Sequence, residues 1–295
     1  MNFLKQLYYF SRFHTVIGTT LSIVVLYLMA ATNASTQHLY LLLFTLVACL
    51  GANIYIVGLN QITDIEIDKI NKPWLPLASG AFSLHTGYII IFIGLAIATA
   101  GGLASSRFLL LTIGISLLLG TIYSLPPLRL KRFHFWAAFC IIAIRGLVVN
   151  FLIFLHFQYS INQTTHIPFL IYLLAATILI YSIIIAWFKD MPDIQGDRAH
   201  EINTLSVRLG AQRIKTIGVA VLMVSYVVLL VCFAVFFSGG QRIIGIGLHL
   251  LCGIYLLLQS KRMNPSQVPS IRRFYLNMWI LFFVEYIGFA SISTI

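Results

Sequence analysis

Repeated apolar runs, each about as long as a bilayer is thick, are the feature that most limits the fold of this 295-residue chain. A helix needs roughly 20 predominantly apolar residues to cross the hydrocarbon core of a membrane. The segments that meet this criterion are 14–32, 39–60, 84–103, 107–124, 135–156, 168–189, 213–237, 242–259 and 273–293. Membrane-spanning strands would instead alternate apolar and polar residues, a pattern that continuous runs such as 170–186 contradict. The sequence therefore predicts an all-α membrane protein with nine transmembrane helices, in a single domain over residues 1–295.

Basic residues are distributed unequally between the two ends of the predicted spans. Only Arg107 and Arg242 lie in the connections on one side, and Arg145 lies within a span. The other 16 of the 19 Lys and Arg residues lie on the N-terminal side: Lys5, Arg12, Lys69, Lys72, Arg129, Lys131, Arg132, Lys189, Arg198, Arg208, Arg213, Lys215, Lys261, Arg262, Arg272 and Arg273. Because short cytoplasmic loops are enriched in Lys and Arg, this asymmetry predicts a cytoplasmic N-terminus.

The formal net charge of +11 is explained mostly by basic loops next to anionic lipid. The charge is spread along loop edges and no soluble domain is evident, so nucleic-acid binding is not expected. The four cysteines lie singly within apolar runs, which argues against disulfides and zinc sites. The short segment before the first span has no signal-peptide or transit-peptide pattern, which favours a mature or prokaryotic membrane protein.

Acidic side chains are rare, and seven of the eight occur in two short stretches. The first stretch contains Asn60, Asp64, Glu66 and Asp68. On a continuous helix, residues 60, 64 and 68 would share one face because they are four positions apart. Glu66 would point away from that face into solvent.

The second acidic stretch contains Asp190, Asp193 and Asp197 and ends with Glu201. Residues 193 and 197 have the same four-residue spacing. Pro192 cannot donate a backbone hydrogen bond, so it predicts a break in the helix after the sixth span.

Both stretches fall on the predicted cytoplasmic side, although they are more than a hundred residues apart. Clustered carboxylates repel one another and need a compensating cation, and Mg²⁺ prefers oxygen ligands. We therefore predict a shared Mg²⁺ site. Such a site, next to basic loops and apolar helices, suits a prenyl diphosphate, which combines a strongly anionic head with a hydrocarbon tail. Two alternatives are carboxylates that neutralise loop cations, and an ion-coupled transporter, although transporter sites usually lie near the bilayer midplane.

The two acidic stretches also carry a family resemblance. The segment 60–80, NQITDIEIDKINKPWLPLASG, and the segment 188–197, FKDMPDIQGD, resemble the UbiA family of intramembrane aromatic prenyltransferases. The first is similar to the homogentisate prenyltransferases of tocopherol biosynthesis. Four further segments extend the similarity over nearly the whole chain: SRFHTVIGTTLS at 11–22, TIYSLPPLRLKRF at 121–133, IRGLVVN at 144–150 and TLSVRLG at 204–210. Two positions depart from the pattern, with Phe13 where Pro is usual and Gln195 where Glu is common.

The resemblance implies a nine-helix bundle around a central cavity and assigns roles to individual residues. The catalytic metal-binding residues would be Asp64, Asp68, Asp193 and Asp197, with Asn60 and Asp190 as further metal ligands. The diphosphate-binding cations would be Lys72, Lys131, Arg132 and Lys189.

The acceptor pocket would contain Tyr123, Arg145 and Asn150. Arg145 and Glu285 both lie mid-span, where charges are costly and usually paired. They are therefore expected to pair with each other or to line the cavity.

The activity implied is Mg²⁺-dependent transfer of a prenyl group, phytyl or a related chain, to an aromatic acid. With homogentisate as the acceptor, loss of CO₂ would give a methyl-prenyl-quinol, in a cyanobacterial or other bacterial membrane. Another phenol or chlorophyllide is the alternative acceptor, although chlorophyll synthases usually have Arg-Pro where this chain has Lys72-Pro73.

Overall fold

The computed structural model describes residues 3–31, 38–194, 198 and 204–295. Helices account for almost all of this part of the chain. Their bounds are α1 Phe3–Phe10, α2 Phe13–Ala30, α3 Leu39–Thr63, α4 Ile65–Asn71, α5 Leu84–Leu103, α6 Arg107–Ser124, α7 His134–Ile142, α8 Phe154–Asn162, α9 Phe169–Lys189, α10 Leu205–Phe236, α11 Gly239–Arg262 and α12 Val268–Ser293. A π-helical segment, Ala143–Ile153, joins α7 to α8, and short 3₁₀ turns occupy Leu130–Arg132 and Met191–Asp193.

Within the described ranges, eight helices are long and apolar enough to span a membrane. The α1–α2 pair, bent by 70°, supplies a ninth if it forms one span. These counts confirm the prediction of an all-α protein with multiple membrane spans. The predicted seventh span, 213–237, agrees with the part of α10 that follows Gly210, where a φ of 79° and a ψ of 156° interrupt the helical path.

Serine and threonine side chains set where several of the helices begin. Ser83 accepts a hydrogen bond from the Thr86 amide at the start of α5, and Ser106 accepts one from the Leu109 amide at the start of α6. Thr204 caps α10 in the same way. Each cap satisfies an amide that has no partner within its helix.

The helices group into two compact units. One comprises Met1–Cys140 with Leu147–His166, and the other comprises Ile141–Gly146 with Ile167–Ile295. The sequence-based expectation of a single domain stays a prediction, as does the central cavity.

In the first unit, α3 and α5 pack with their backbones in close contact. A Cβ atom at Gly51 would lie 2.8 Å from the carbonyl oxygen of Gly94, and a Cβ atom at Gly94 would lie 2.8 Å from the carbonyl oxygen of Gly51. Real Cβ atoms do not approach other atoms so closely. Glycine at both positions is therefore what permits this approach.

The end of α1 is anchored against the same two helices. Phe10 is fully buried, in a cluster with Leu59, Leu77, Phe82 and Ile91. Glycine at position 58 of α3 leaves room for this ring, since a Cβ atom there would lie 2.8 Å from it. The packing fixes the α1–α2 bend next to the C-terminal end of α3.

A buried histidine ties three helices of the first unit together. The Thr45 hydroxyl donates to the Leu41 carbonyl at 2.7 Å, so at 2.9 Å it must accept from Nε2 of His156. The other ring nitrogen is then an acceptor, and the Ser106 hydroxyl donates to it at 2.8 Å. The neutral ring therefore satisfies both hydroxyl groups.

The second unit contains a buried pair of titratable side chains. Nε2 of His249 lies 3.2 Å from Oε2 of Glu285, and both side chains are fully buried. The expected pairing of Glu285 with Arg145 is wrong. The Arg145 guanidinium instead lies 4.9 Å from the centre of the Trp279 ring, a cation–π contact.

Candidate active site

The first acidic motif lies where α3 ends. The prediction that residues 60, 64 and 68 share one continuous helix is wrong, because α3 stops at Thr63 and α4 starts at Ile65. Asp64 stands between them with φ −120° and ψ 14°, outside the helical region. The amide of Asp68 still donates to the Asp64 carbonyl at 2.7 Å, so the two aspartates remain one turn apart.

Two cations of the 125–133 loop converge on one oxygen of Asp64. The Lys131 ammonium lies 2.6 Å from Oδ1, and the Arg129 guanidinium lies 3.1 Å from the same atom. Both also bind Thr63: Lys131 donates to its hydroxyl at 2.7 Å, and Arg129 donates to its carbonyl at 3.1 Å. This loop is therefore hydrogen-bonded directly to the end of α3.

Lys131 is confined by these contacts, with only 11% of its side chain exposed. Burial lowers the pKa of Lys131, and the hydrogen bond and negative charge of Asp64 offset part of that effect. The ammonium is thus poorly hydrated and lies beside a carboxylate, a suitable position from which to donate to another anion.

Asn60 links the α1–α2 bend to Asp64. Arg12 donates to Oδ1 of Asn60 at 3.2 Å, and Nδ2 of Asn60 donates to Oδ2 of Asp64 at 3.2 Å. Next to it, the buried Gln61 donates from Nε2 to the Phe10 carbonyl at 2.6 Å. Both oxygens of Asp64 therefore accept hydrogen bonds.

Asp68 is the more buried of the two aspartates, with a residue exposure of 3%. Its Oδ1 lies 3.5 Å from the Lys72 ammonium, and its Oδ2 has no hydrogen-bond partner among the residues that the structure describes. Glu66, by contrast, is 82% exposed and pairs with Lys69 at 2.7 Å, as predicted for a solvated side chain.

The second motif follows α9. That helix ends at Lys189, and the 3₁₀ turn Met191–Asp193 contains Pro192, so the predicted break is confirmed. Asp190 is half-buried and Asp193 is exposed, whereas Asp197 and Glu201 lie outside the described residues. That the two motifs share a metal stays a prediction.

The remaining predicted site residues differ in how exposed they are and in which groups lie near them. Lys189 is exposed at the end of α9, and Arg132 is exposed with its guanidinium 5.8 Å from the Phe133 ring. Tyr123 is half-buried, within electrostatic range of Arg12 and Asp64. Asn150 is completely buried in the π-helical segment.

The sequence-based reasoning missed Arg12, Arg129 and Thr63 as members of this site. Both arginines were counted only as loop cations. Each has a left-handed backbone conformation, with φ of 47° at Arg12 and 36° at Arg129, and this conformation is uncommon for residues other than glycine. Their positions in the segments SRFHT and PPLRLK, which carry the family resemblance, were the sequence feature that could have identified them as site residues.

The side chains present suit a hard divalent cation such as Mg²⁺. Asp64 and Asp68 supply carboxylate oxygens, and the unpartnered buried oxygen of Asp68 is an orphan acceptor that a cation would satisfy. No group of three or more His, Cys, Asp or Glu side chains that could hold a metal ion occurs within the described ranges. Asp64 and the orphan oxygen of Asp68 are thus the described groups of the first motif that a divalent cation could bind.

Comparison with known proteins gives consistent matches over most of the chain. The UbiA prenyltransferase family matches residues 20–281. Homogentisate phytyltransferase of Synechocystis sp. is 40% identical, over 94% of this chain and 92% of that protein. Homogentisate geranylgeranyltransferase of Triticum aestivum is 36% identical, over 96% of this chain and 71% of that protein.

A solved structure has the same fold. The UbiA homolog of Archaeoglobus fulgidus bound to GPP and Mg²⁺ aligns with a TM-score of 0.63 at 16% identity, covering 97% of this chain and 99% of that one. The family match, the curated relatives and the helical architecture agree with the resemblance carried by the two acidic motifs. This integral membrane protein belongs to the UbiA prenyltransferase family and is an aromatic prenyltransferase.

Proposed function

We propose that this chain transfers a prenyl group, phytyl or a closely related chain, from its diphosphate to homogentisate. The bond between C1 of the prenyl chain and the diphosphate oxygen breaks, and diphosphate leaves with the electron pair. A ring carbon of the acceptor forms a bond to C1 and releases its proton. The side-chain carboxylate leaves as CO₂, and the remaining carbon takes up a proton to become the methyl group of a methyl-prenyl-quinol.

The observation that carries this proposal is the pairing of cations with carboxylates at the end of α3. Lys131 and Arg129 both contact Oδ1 of Asp64, and the orphan oxygen of Asp68 lies one turn further on. A diphosphate needs donors for its oxygens and a cation to neutralise its charge, and this end of the first unit offers basic donors together with carboxylates that would hold such a cation. The identity to the Synechocystis phytyltransferase supports the choice of homogentisate and phytyl.

Mg²⁺ would be held by side-chain oxygen atoms of both motifs. Its ligands would be drawn from Asn60, Asp64, Asp68, Asp190, Asp193 and Asp197. When bound, Mg²⁺ neutralises the charge that grows on the leaving diphosphate. The Mg²⁺ in the Archaeoglobus structure supports this assignment.

The basic side chains would bind the diphosphate oxygens directly. Lys131 and Arg129 would do so from their positions beside Asp64, and Lys72, Arg132 and Lys189 would supply further positive charge. Preorganised donors aimed at a developing charge are a large source of rate acceleration. Tyr123, Arg145 and Asn150 would contact the aromatic acceptor, and the active site would open on the cytoplasmic side.

Product analysis of the purified protein in detergent tests this function. The protein is incubated with homogentisate and phytyl or geranylgeranyl diphosphate, with and without Mg²⁺, and products are identified by mass. We expect a prenylated quinol that has lost CO₂, formed only with a divalent cation. A different phenol as the preferred acceptor would overturn the choice of homogentisate, and the absence of any product would favour the transporter alternative.

A matched pair of variants tests the metal assignment. Asp64→Asn should abolish turnover while the protein remains folded, because the amide replaces a charged ligand. Glu66→Gln removes an acidic side chain two residues away that is 82% exposed and should leave turnover unchanged. Full activity of Asp64→Asn would contradict the assignment.

A further inference from the structure

Four aromatic side chains form a row along one face of α12. They are Tyr275, Trp279, Phe282 and Tyr286, and their spacing of four, three and four residues puts them on the same side of an α-helix. Successive rings are in contact, with centroid distances of 6.5 Å for Tyr275 and Trp279, 5.5 Å for Trp279 and Phe282, and 5.3 Å for Phe282 and Tyr286. All three contacts are edge-to-face, a favourable geometry for aromatic pairs. This face of α12 is therefore a continuous row of aromatic rings.

Arg145 lies against the middle of this row and belongs to the same compact unit. Its guanidinium is 4.9 Å from the centre of the Trp279 ring and 5.8 Å from the centre of the Phe282 ring. The tyrosines at the two ends of the row, Tyr275 and Tyr286, are both within electrostatic range of the guanidinium. The row thus holds a permanent positive charge among membrane-spanning helices, where an ionisable side chain is costly and usually functional.

One end of the aromatic row is close to the second acidic motif. The helix α12 packs against the 3₁₀ turn Met191–Asp193, and Tyr275 is within electrostatic range of both Asp190 and Arg145. Trp279 lies four residues further along α12, a distance of about 6 Å on the helix axis. The Arg145 guanidinium is therefore near the carboxylates that are proposed to hold Mg²⁺.

The same end of the row is the accessible one. Arg145, Tyr275 and Trp279 are each only partly buried, whereas Phe282 and Tyr286 are buried. A small ligand could therefore contact the guanidinium and the first two rings, and the deeper part of the row is covered by protein.

The accessible groups have the chemistry of a site for an aromatic acid. A cation–π contact uses the face of a guanidinium, whereas its hydrogen bonds are donated from the edge. The donors form a planar fork that matches the two oxygens of a carboxylate. A ligand with both a ring and a carboxylate is complementary to this site, because its ring can pack against the aromatic row while its carboxylate binds Arg145.

We propose that Arg145 binds the carboxylate of the aromatic acceptor, and that Trp279 is a positioning residue that holds the guanidinium for this contact. The aromatic row of α12 thereby selects aromatic acids over neutral phenols. This inference rests on the proposed function. It names the group of the acceptor that Arg145 recognises, and it adds Trp279 to the residues that determine specificity.

The first test compares two acceptors of nearly equal size, homogentisate and its primary amide, which has no charge. We expect Arg145→Met to lower kcat/KM for the acid by about 10- to 100-fold, the scale of a lost hydrogen bond to a charged group, and to change kcat/KM for the amide by less than about threefold. Equal losses for both acceptors, or no loss for the acid, would overturn the proposal.

Thermal unfolding with either acceptor alone measures the same preference without turnover. The acid should raise the Tm of the wild type more than the amide does, and the difference should disappear in Arg145→Met. Equal Tm shifts in the wild type would contradict a site for the carboxylate.

The second test addresses the positioning role of Trp279. Trp279→Leu should lower the acid-to-amide ratio of kcat/KM by about tenfold, whereas Trp279→Phe, which keeps an aromatic ring under the guanidinium, should stay within about threefold of the wild type. A merely structural role would lower kcat/KM for both acceptors alike. An unchanged ratio in Trp279→Leu would therefore refute the positioning role.

Arg107→Met is the matched control, because Arg107 is an exposed arginine with a cation–π contact of the same kind, 5.0 Å from the centre of the Phe108 ring. It should leave the acid-to-amide ratio unchanged. Failure of the proposed function is recognised separately: the wild type would then prenylate neither acceptor, while the acid-specific Tm shift would still report on the Arg145 site.

Discussion

Replacing Lys131 by methionine should separate catalysis from folding. Methionine keeps much of the length of the lysine stem but has no ammonium group. The variant loses the contacts at 2.6 Å to Asp64 and 2.7 Å to Thr63. Arg129 remains beside Asp64, so the carboxylate keeps one cationic partner.

The expected cost to stability is small. A hydrogen bond to a charged group contributes about 1.5–3 kcal/mol, but burial opposes this gain. The pKa of Lys131 in the folded protein lies below its ordinary value, so folding favours the neutral amine. At neutral pH, folding therefore has to desolvate a charged ammonium group, which is unfavourable. The methionine side chain avoids this desolvation cost. We expect a change of no more than a few degrees in Tm.

The expected cost to turnover is much larger. Removing one preorganised donor from a site of developing negative charge typically lowers kcat by about 10²–10³. Initial rates with a prenyl diphosphate and homogentisate, together with thermal unfolding in the same detergent, measure the two effects side by side. Lys69→Met is the control, because Lys69 pairs only with the exposed Glu66 in the described structure, and it should behave as the wild type.

Two outcomes would refute this reasoning about Lys131. Wild-type kcat/KM in Lys131→Met would show that the ammonium does not act on the diphosphate. A large fall in Tm that accounts for the loss of activity would show that the residue is mainly structural.

Three further substitutions test the site and the buried polar groups. Asp68→Asn should abolish turnover with Tm nearly unchanged, and measurable turnover at saturating Mg²⁺ would argue against Asp68 as a ligand. His156→Leu should cost about 1–2 kcal/mol from the lost interhelical hydrogen bonds and lower Tm, while the exposed His166→Leu should not; equal Tm values would contradict the network. Glu285→Ala should destabilise by about 3–5 kcal/mol because it leaves its buried histidine partner alone. The double variant Glu285→Leu with His249→Leu should recover most of that loss, and no recovery would show that the pair is not coupled.

Most of the fold could be predicted from the sequence because a helix that crosses the hydrocarbon core must be both long and apolar. Apolar runs of sufficient length identified the spans, and a proline identified the break after α9.

The break at Asp64 could not be predicted from spacing. No glycine or proline interrupts residues 60–68, and the four-residue interval favours a continuous helix. The observed conformation coincides with contacts from residues 65 and 67 positions away in the chain, Arg129 and Lys131. Such long-range contacts leave no local signature.

The pairing of the buried charges could not be predicted from charge counting either. The sequence predicts that Arg145 and Glu285 pair with each other or line the cavity, because both are ionisable residues in the middle of a span. Histidine is counted as neutral, so His249 was overlooked, yet it is the residue that contacts Glu285. The Arg145 guanidinium instead contacts the ring of Trp279, which has no formal charge.

The glycine contact between α3 and α5 bears on how the enzyme tolerates different lipids. Gly51 lies nine residues before Asn60, about 14 Å along the helix axis at 1.5 Å per residue. Backbones that touch there cannot slide past each other without a clash, so a thinner or thicker bilayer should tilt the two helices as one body. The height of the aspartates above the lipid would then depend on this contact between α3 and α5, and catalysis should be less sensitive to acyl-chain length than the span lengths alone would suggest.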